Sequence, residues 1–163
     1  MVRIHYAYTS QINPEGASPV LTLPQIWQGL QRKIRFAQEF VPVIEGCEVL
    51  KEEDGVVTRV VKFKKGLVPK EQATEVVRGY GMSWVDFEQE DGTHVRNVIS
   101  SGPGGPEDFH MTYMFEFLLP NISETDTEGK EKETARLTGM SKVAVESSIK
   151  VIREMVQDGR IPS

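Results

Sequence analysis

Between residues 43 and 119 apolar residues recur with a period of two. That rhythm breaks where glycine, proline and aspartate cluster, at Asp54-Gly55, Gly79-Tyr80-Gly81, Asp91-Gly92 and Gly102-Pro103-Gly104-Gly105-Pro106. Alternation of this kind marks strands with one buried face. It predicts six of them, over about 43–53, 56–64, 72–80, 82–89, 93–101 and 108–119. The two Asp-Gly pairs tolerate the positive φ angles of a tight two-residue hairpin, which joins antiparallel neighbours. A meander follows, and it leaves a large one-sided apolar sheet that something must cover.

The flanking segments supply the cover. Residues 2–12 alternate again, with Ile4, Tyr6 and Tyr8 on one face, and give a seventh strand before Asn13-Pro14-Glu15-Gly16 ends it. Thr22 is placed to cap a helix starting near Pro24, in which Ile26, Trp27, Leu30, Ile34 and Ala37 recur at helical spacing to about Phe40. The acidic residues 120–131 read as a solvated connection or a frayed helix start. A long helix then runs over about 133–158, with Val143, Val151, Ile152 and Met155 on its apolar stripe and Gly159 at its end. No repeat or linker divides the 163 residues, so one domain over 1–163 is expected.

Charge and cysteine usage narrow the function classes. A net charge of −5 repels nucleic-acid phosphates and anionic lipid heads. The single Cys47 reads as a buried structural thiol and fits a reducing compartment. His5, His94 and His110 have no metal-ligand spacing, and no Gly-x-Ser-x-Gly elbow is present, so neither a metal nor a nucleophilic triad is expected. The opening residues carry Arg3 and His5 where a signal peptide needs an unbroken apolar stretch. The expectation is a cytoplasmic protein, a monomer or weak homodimer, with no cofactor, no nucleic-acid partner and no membrane insertion.

The order strand, helical segment, six strands, long helix resembles the helix-grip fold of the START and birch-pollen-allergen superfamily, the SRPBCC proteins. That fold is α+β, a seven-stranded curved antiparallel sheet around a long C-terminal helix. Closer wording is found in Ile12-Asn13-Pro14, in Leu21-Thr22-Leu23-Pro24-Gln25-Ile26-Trp27-Gln28-Gly29-Leu30, in Phe40-Val41-Pro42 and in Thr58-Arg59. Those segments are similar to the AtaL-like family, of the fungal acetylaranotin-cluster type. The resemblance implies a pocket between sheet and long helix, and a role in secondary-metabolite biosynthesis.

Two features speak to what such a pocket would hold. Strand 108–119 places Phe109, Met111, Tyr113, Phe115 and Phe117 on one face, a row that either fills a core or lines a rigid apolar cavity. In strand 56–64, Arg59 shares the parity of Val57, Val61 and Phe63, which aims a guanidinium inward. An inward arginine needs an internal carboxylate, Asp86 being one candidate, a route to the rim, or an acidic ligand group. The faces of strands 82–89 and 93–101 are ambiguous; Asn97 between Val95 and Ile99 is the better inward choice. The candidate ligand-binding residues are therefore Arg59, Phe63, Trp84, Asn97, Ile99, Met111, Tyr113, Phe115 and Met140. Their combined chemistry suits an apolar small molecule with an acidic or carbonyl end, held by a binding protein or turned over by a cyclase or isomerase.

Overall fold

The computed structural model describes residues 2–68 and 70–163. Seven strands, β1 (Val2–Gln11), β2 (Ile44–Glu53), β3 (Val56–Phe63), β4 (Gln72–Tyr80), β5 (Trp84–Gln89), β6 (His94–Ser101) and β7 (Phe109–Leu119), form one antiparallel sheet. Their spatial order is β1-β7-β6-β5-β4-β3-β2. The meander from β2 to β7 is thus closed by β1 pairing with β7, Tyr8 opposite Tyr113. Two helices, α1 (Leu23–Arg35) and α2 (Thr127–Gln157), cover the apolar face. The fold is the α+β helix-grip arrangement, a curved seven-stranded sheet with a long C-terminal helix.

Local chemistry explains the element ends. The hairpin between β2 and β3 turns on Asp54 and Gly55 with φ of 53° and 77°, the left-handed conformation that an Asp-Gly pair accepts at small cost. Thr22 and Gln25 form a reciprocal capping box at the start of α1. Helix α1 ends at Arg35, earlier than the spacing predicts. Phe36 leaves helical geometry, and Ala37–Glu39 form a short 3-10 turn instead.

Helix α2 begins at Thr127, before the predicted 133, because Asp126 accepts from the Gly129 backbone N–H and nucleates the first turn. Its buried stripe is Leu137, Ser141, Ala144, Val145, Ser148, Ile149, Ile152, Met155 and Val156. Val143, expected on that stripe, is 49% exposed, since the helix turns its neighbours Ala144 and Val145 to the sheet. Gly29 lets the two helices meet. A Cβ there would lie 2.5 Å from Ile152 Cγ1, so only glycine permits this approach.

Candidate functional site

Paired strands with one buried face stack their inward residues in rows across the sheet. One row runs Arg59, Glu75, Gln89 across β3, β4 and β5. Another pairs Asn97 with Tyr113 across β6 and β7. Between these rows and α2 lies a cavity of about 300 Å³. Its walls are Val61, Phe63, Phe87, Val95, Phe115, Phe117, Leu137, Met140, Ser141 and Ala144, and its inner end carries Lys33, Arg59, Glu75 and Tyr113. The opposite end is rimmed by Lys70, Asp91 and Asn121. Lys70 bridges Gln89 and Asp91 there, its Nζ donating to Asp91 Oδ2 over 2.6 Å.

The inner end is organised by a lysine that the strand-based reading did not select. Lys33 belongs to the last turns of α1 and is 4% exposed. Its Nζ donates to Asn97 Oδ1 (2.6 Å) and to the Tyr113 hydroxyl (3.0 Å). Tyr113 donates in turn to Ser148 Oγ (2.7 Å), and Ser148 to the Ala144 carbonyl (2.7 Å). Burial, reinforced by the positive charge of Arg59 and opposed by Glu75, pulls the Lys33 pKa well below the usual lysine range. Burial also raises the Tyr113 pKa, with the Ser148 hydrogen bond acting the other way. At neutral pH the phenol is therefore protonated. Lys33 has two neutral oxygen acceptors and no carboxylate within ion-pair distance among the described residues.

Arg59 does point inward, at 3% exposure, and its partner is Glu75. Nε and Nη2 donate to Glu75 Oε1 over 2.9 and 2.7 Å, while Nη1 donates to the Lys33 and Ile34 carbonyls (2.9 and 2.7 Å). The guanidinium thus neutralises a buried carboxylate and caps the C-terminus of α1, where a positive charge also suits the helix dipole. Gln89 Nε2 supplies the other carboxylate oxygen with a 3.0 Å bond. Asp86, the partner considered from sequence, faces the other side of the sheet and pairs with Arg96 (2.6 Å).

Of the residues selected from sequence, Arg59, Phe63, Tyr113, Phe115 and Met140 line the cavity. Asn97 is fully buried one layer behind it, holding Lys33. Ile99 and Met111 are inward core residues beyond the inner end rather than cavity wall. Trp84 lies on the outer face, stacked on Tyr80 at 5.3 Å with Arg96 over its ring. The turn through Gly81 and Met82, both at positive φ, sets β5 so that Val85 and Phe87 take the inner parity. Cys47 is half-buried rather than buried, its Sγ directed at the Ile34 carbonyl.

Lys33, Glu75, Ser141 and Ser148 were the residues missed. Lys33 follows Ile26 by seven residues and Leu30 by three, so it occupies the apolar face of α1. A lysine at such a position was the available signal. Glu75 shares the parity of Ala73 and Val77 in β4 and sits opposite Arg59 in the register.

This combination, a curved antiparallel sheet gripping a long helix with an apolar cavity between them, defines a helix-grip protein. The solved structures most similar in shape include the Zhui aromatase/cyclase from Streptomyces sp. R1128. It superposes with a TM-score of 0.73 at 12% identity, over 95% of this chain and 96% of that one. The di-domain aromatase/cyclase StfQ of the steffimycin pathway gives 0.71 at 7% identity, over 95% of this chain and 52% of its own. At the level of sequence, residues 6–159 match the model of the family described as acetylaranotin biosynthesis cluster protein L, and the chain belongs to that family. A protein of that description from Aspergillus terreus (strain NIH 2624 / FGSC A1156) is 27% identical over 144 residues, 86% of this chain and 84% of the relative. Among the described residues no helix is long and apolar enough to cross a membrane.

Proposed function

We propose that the protein binds an apolar secondary-metabolite intermediate carrying a carbonyl group, with the apolar body between the sheet and α2 and the carbonyl group beside Lys33. The observation that carries this reading is the polarity of the cavity itself. Its middle is aromatic and aliphatic, and one buried end presents an amine fixed by Asn97 and Tyr113. Convergent polar groups at one end of an apolar cleft orient a ligand, while the walls supply affinity. Arg59, committed to Glu75 and two carbonyls, contributes positive potential more than a free hydrogen-bonding fork. Phe63, Phe115 and Met140 contribute wall contacts. Membership of a biosynthesis-cluster family supports a secondary metabolite as the ligand class.

Native mass spectrometry of protein purified from its own host tests the reading. A retained small molecule at one per chain, released on denaturation, is the expected result. Protein that carries no such compound and also fails to saturate with apolar carbonyl probes would overturn it.

A second reading, a cyclase or isomerase acting in the same cavity, is favoured by one observation. The Lys33 amine and the Tyr113 hydroxyl, the first with a pKa well below the lysine range, sit side by side at the cavity end, where an amine of that kind can take a proton from a bound molecule. The structural neighbours described as aromatase/cyclases point the same way. Recovery of the bound compound unchanged supports the carrier; a compound altered by loss of water or by a new ring supports the enzyme.

A further inference from the structure

We propose that Lys33 is a covalent site, whose amine condenses with an aldehyde or ketone of the bound molecule to form an imine. This rests on the reading that the cavity takes a carbonyl compound, and goes beyond it in making the contact a bond. The geometry meets what imine formation by a lysine requires. The amine is buried, at the inner end of an apolar cavity that admits the carbonyl, and its two hydrogen-bond partners, Asn97 Oδ1 and the Tyr113 oxygen, act as acceptors. An amine so donating through two N–H bonds retains its lone pair for the carbonyl carbon. Glu75, the carboxylate that would otherwise hold Lys33 as an ammonium, is engaged by Arg59 and Gln89. Desolvation beside a second cation is a known way to keep a lysine amine nucleophilic at neutral pH, and the lowered Lys33 pKa agrees with it.

The step balances without a further reactant. The nitrogen lone pair forms the C–N bond as the carbonyl π pair moves to oxygen. Both amine protons then leave with that oxygen as water, and the nitrogen forms the second bond to carbon. Tyr113, 3.0 Å from Nζ and backed by Ser148, is placed to relay a proton between nitrogen and oxygen.

The test uses a methoxynaphthaldehyde as probe. Binding is followed by fluorescence, and the imine is trapped with sodium borohydride and located by intact mass and peptide mapping. The expected result is one adduct per chain, heavier by the aldehyde less one oxygen, mapped to Lys33 and not to exposed lysines such as Lys51 and Lys150. Lys33→Met is expected to lose the adduct and to weaken binding, whereas Lys150→Met, at an exposed lysine outside the cavity, is expected to keep both. The wild-type arm depends on no variant folding. Saturable binding with no trapped adduct on Lys33 overturns the covalent proposal and leaves the binding reading intact. Absence of saturable binding overturns both.

Discussion

The Lys33 amine and the Tyr113 hydroxyl are joined by a 3.0 Å hydrogen bond in which the amine donates, although the two residues lie 80 positions apart. Helix α1 brings the first and the central row of β7 the second, so a polar pair stands at the end of an apolar cavity. An amine in that position holds its proton less tightly in the folded chain than in the unfolded one. Unfolding therefore takes up a proton at any pH between the lowered folded value and the ordinary lysine value of about 10.4, and stability rises with pH across that window. Lys33→Met should remove this rise, which cannot exceed about 1.4 kcal/mol per pH unit. Denaturant midpoints of both proteins between neutral pH and pH 10 check it; parallel curves would contradict the shift.

Arg59 gives the second prediction. Arg59→Met leaves Glu75 as an uncompensated buried carboxylate with only Gln89 to solvate it, and takes the donors from two carbonyls at the end of α1. The expected loss is about 3–5 kcal/mol. Adding Glu75→Gln to that variant should restore much of the loss, because removing both charges costs far less than stranding one. Chemical denaturation of the two single variants and the double variant measures the coupling.

Contact between the helices supplies a third. A side chain at Gly29 would strike Ile152, which is 1% exposed and has little room to move. Gly29→Val should cost about 1–3 kcal/mol through overpacking. Pairing it with Ile152→Ala should be less damaging than the sum of the two single changes, as thermal unfolding would show.

The cavity offers a fourth. Ala144 lines it from α2, and Ala144→Leu would extend a branched side chain into space that the protein's own side chains do not fill. Stability should hold or rise, as for other cavity-filling changes. Binding of an apolar fluorophore should fall at least tenfold, roughly 1.4 kcal/mol. A variant that binds as well as wild type would place the ligand elsewhere.

Much of the fold was legible because the residues that shape it act locally. Asp54-Gly55 can make a tight turn wherever it occurs, and Thr22 with Gln25 caps a helix through contacts three residues apart. The inward direction of Arg59 was legible too, because the strand-to-strand irregularities of this edge involve β2, between Ile44 and Gly46 and between Val49 and Lys51, and leave the β3–β4 register unbroken. What those inward groups meet was not legible. The partner of Arg59 depends on the register of β4, and the neighbours of Lys33 depend on where α1 crosses the sheet, both set by contacts distant in sequence. The face of Trp84 was ambiguous in the strand pattern, and the positive-φ turn at Gly81 and Met82 fixes the one it takes. Lys33 itself was visible as a lysine on an apolar helix face, but long lysine stems often snorkel to solvent, so the position alone does not say what the amine meets.

Calorimetric comparison of acetonaphthone with ethylnaphthalene, on wild type and on Lys33→Met, tests the central claim, that the cavity holds an apolar molecule by its body and a carbonyl by Lys33. The two probes share an apolar body and differ in the oxygen. One site per chain is expected, with the ketone bound more tightly than the hydrocarbon and with that difference lost in Lys33→Met. Equal affinities for both probes on wild type, or no saturable binding of either, would contradict it.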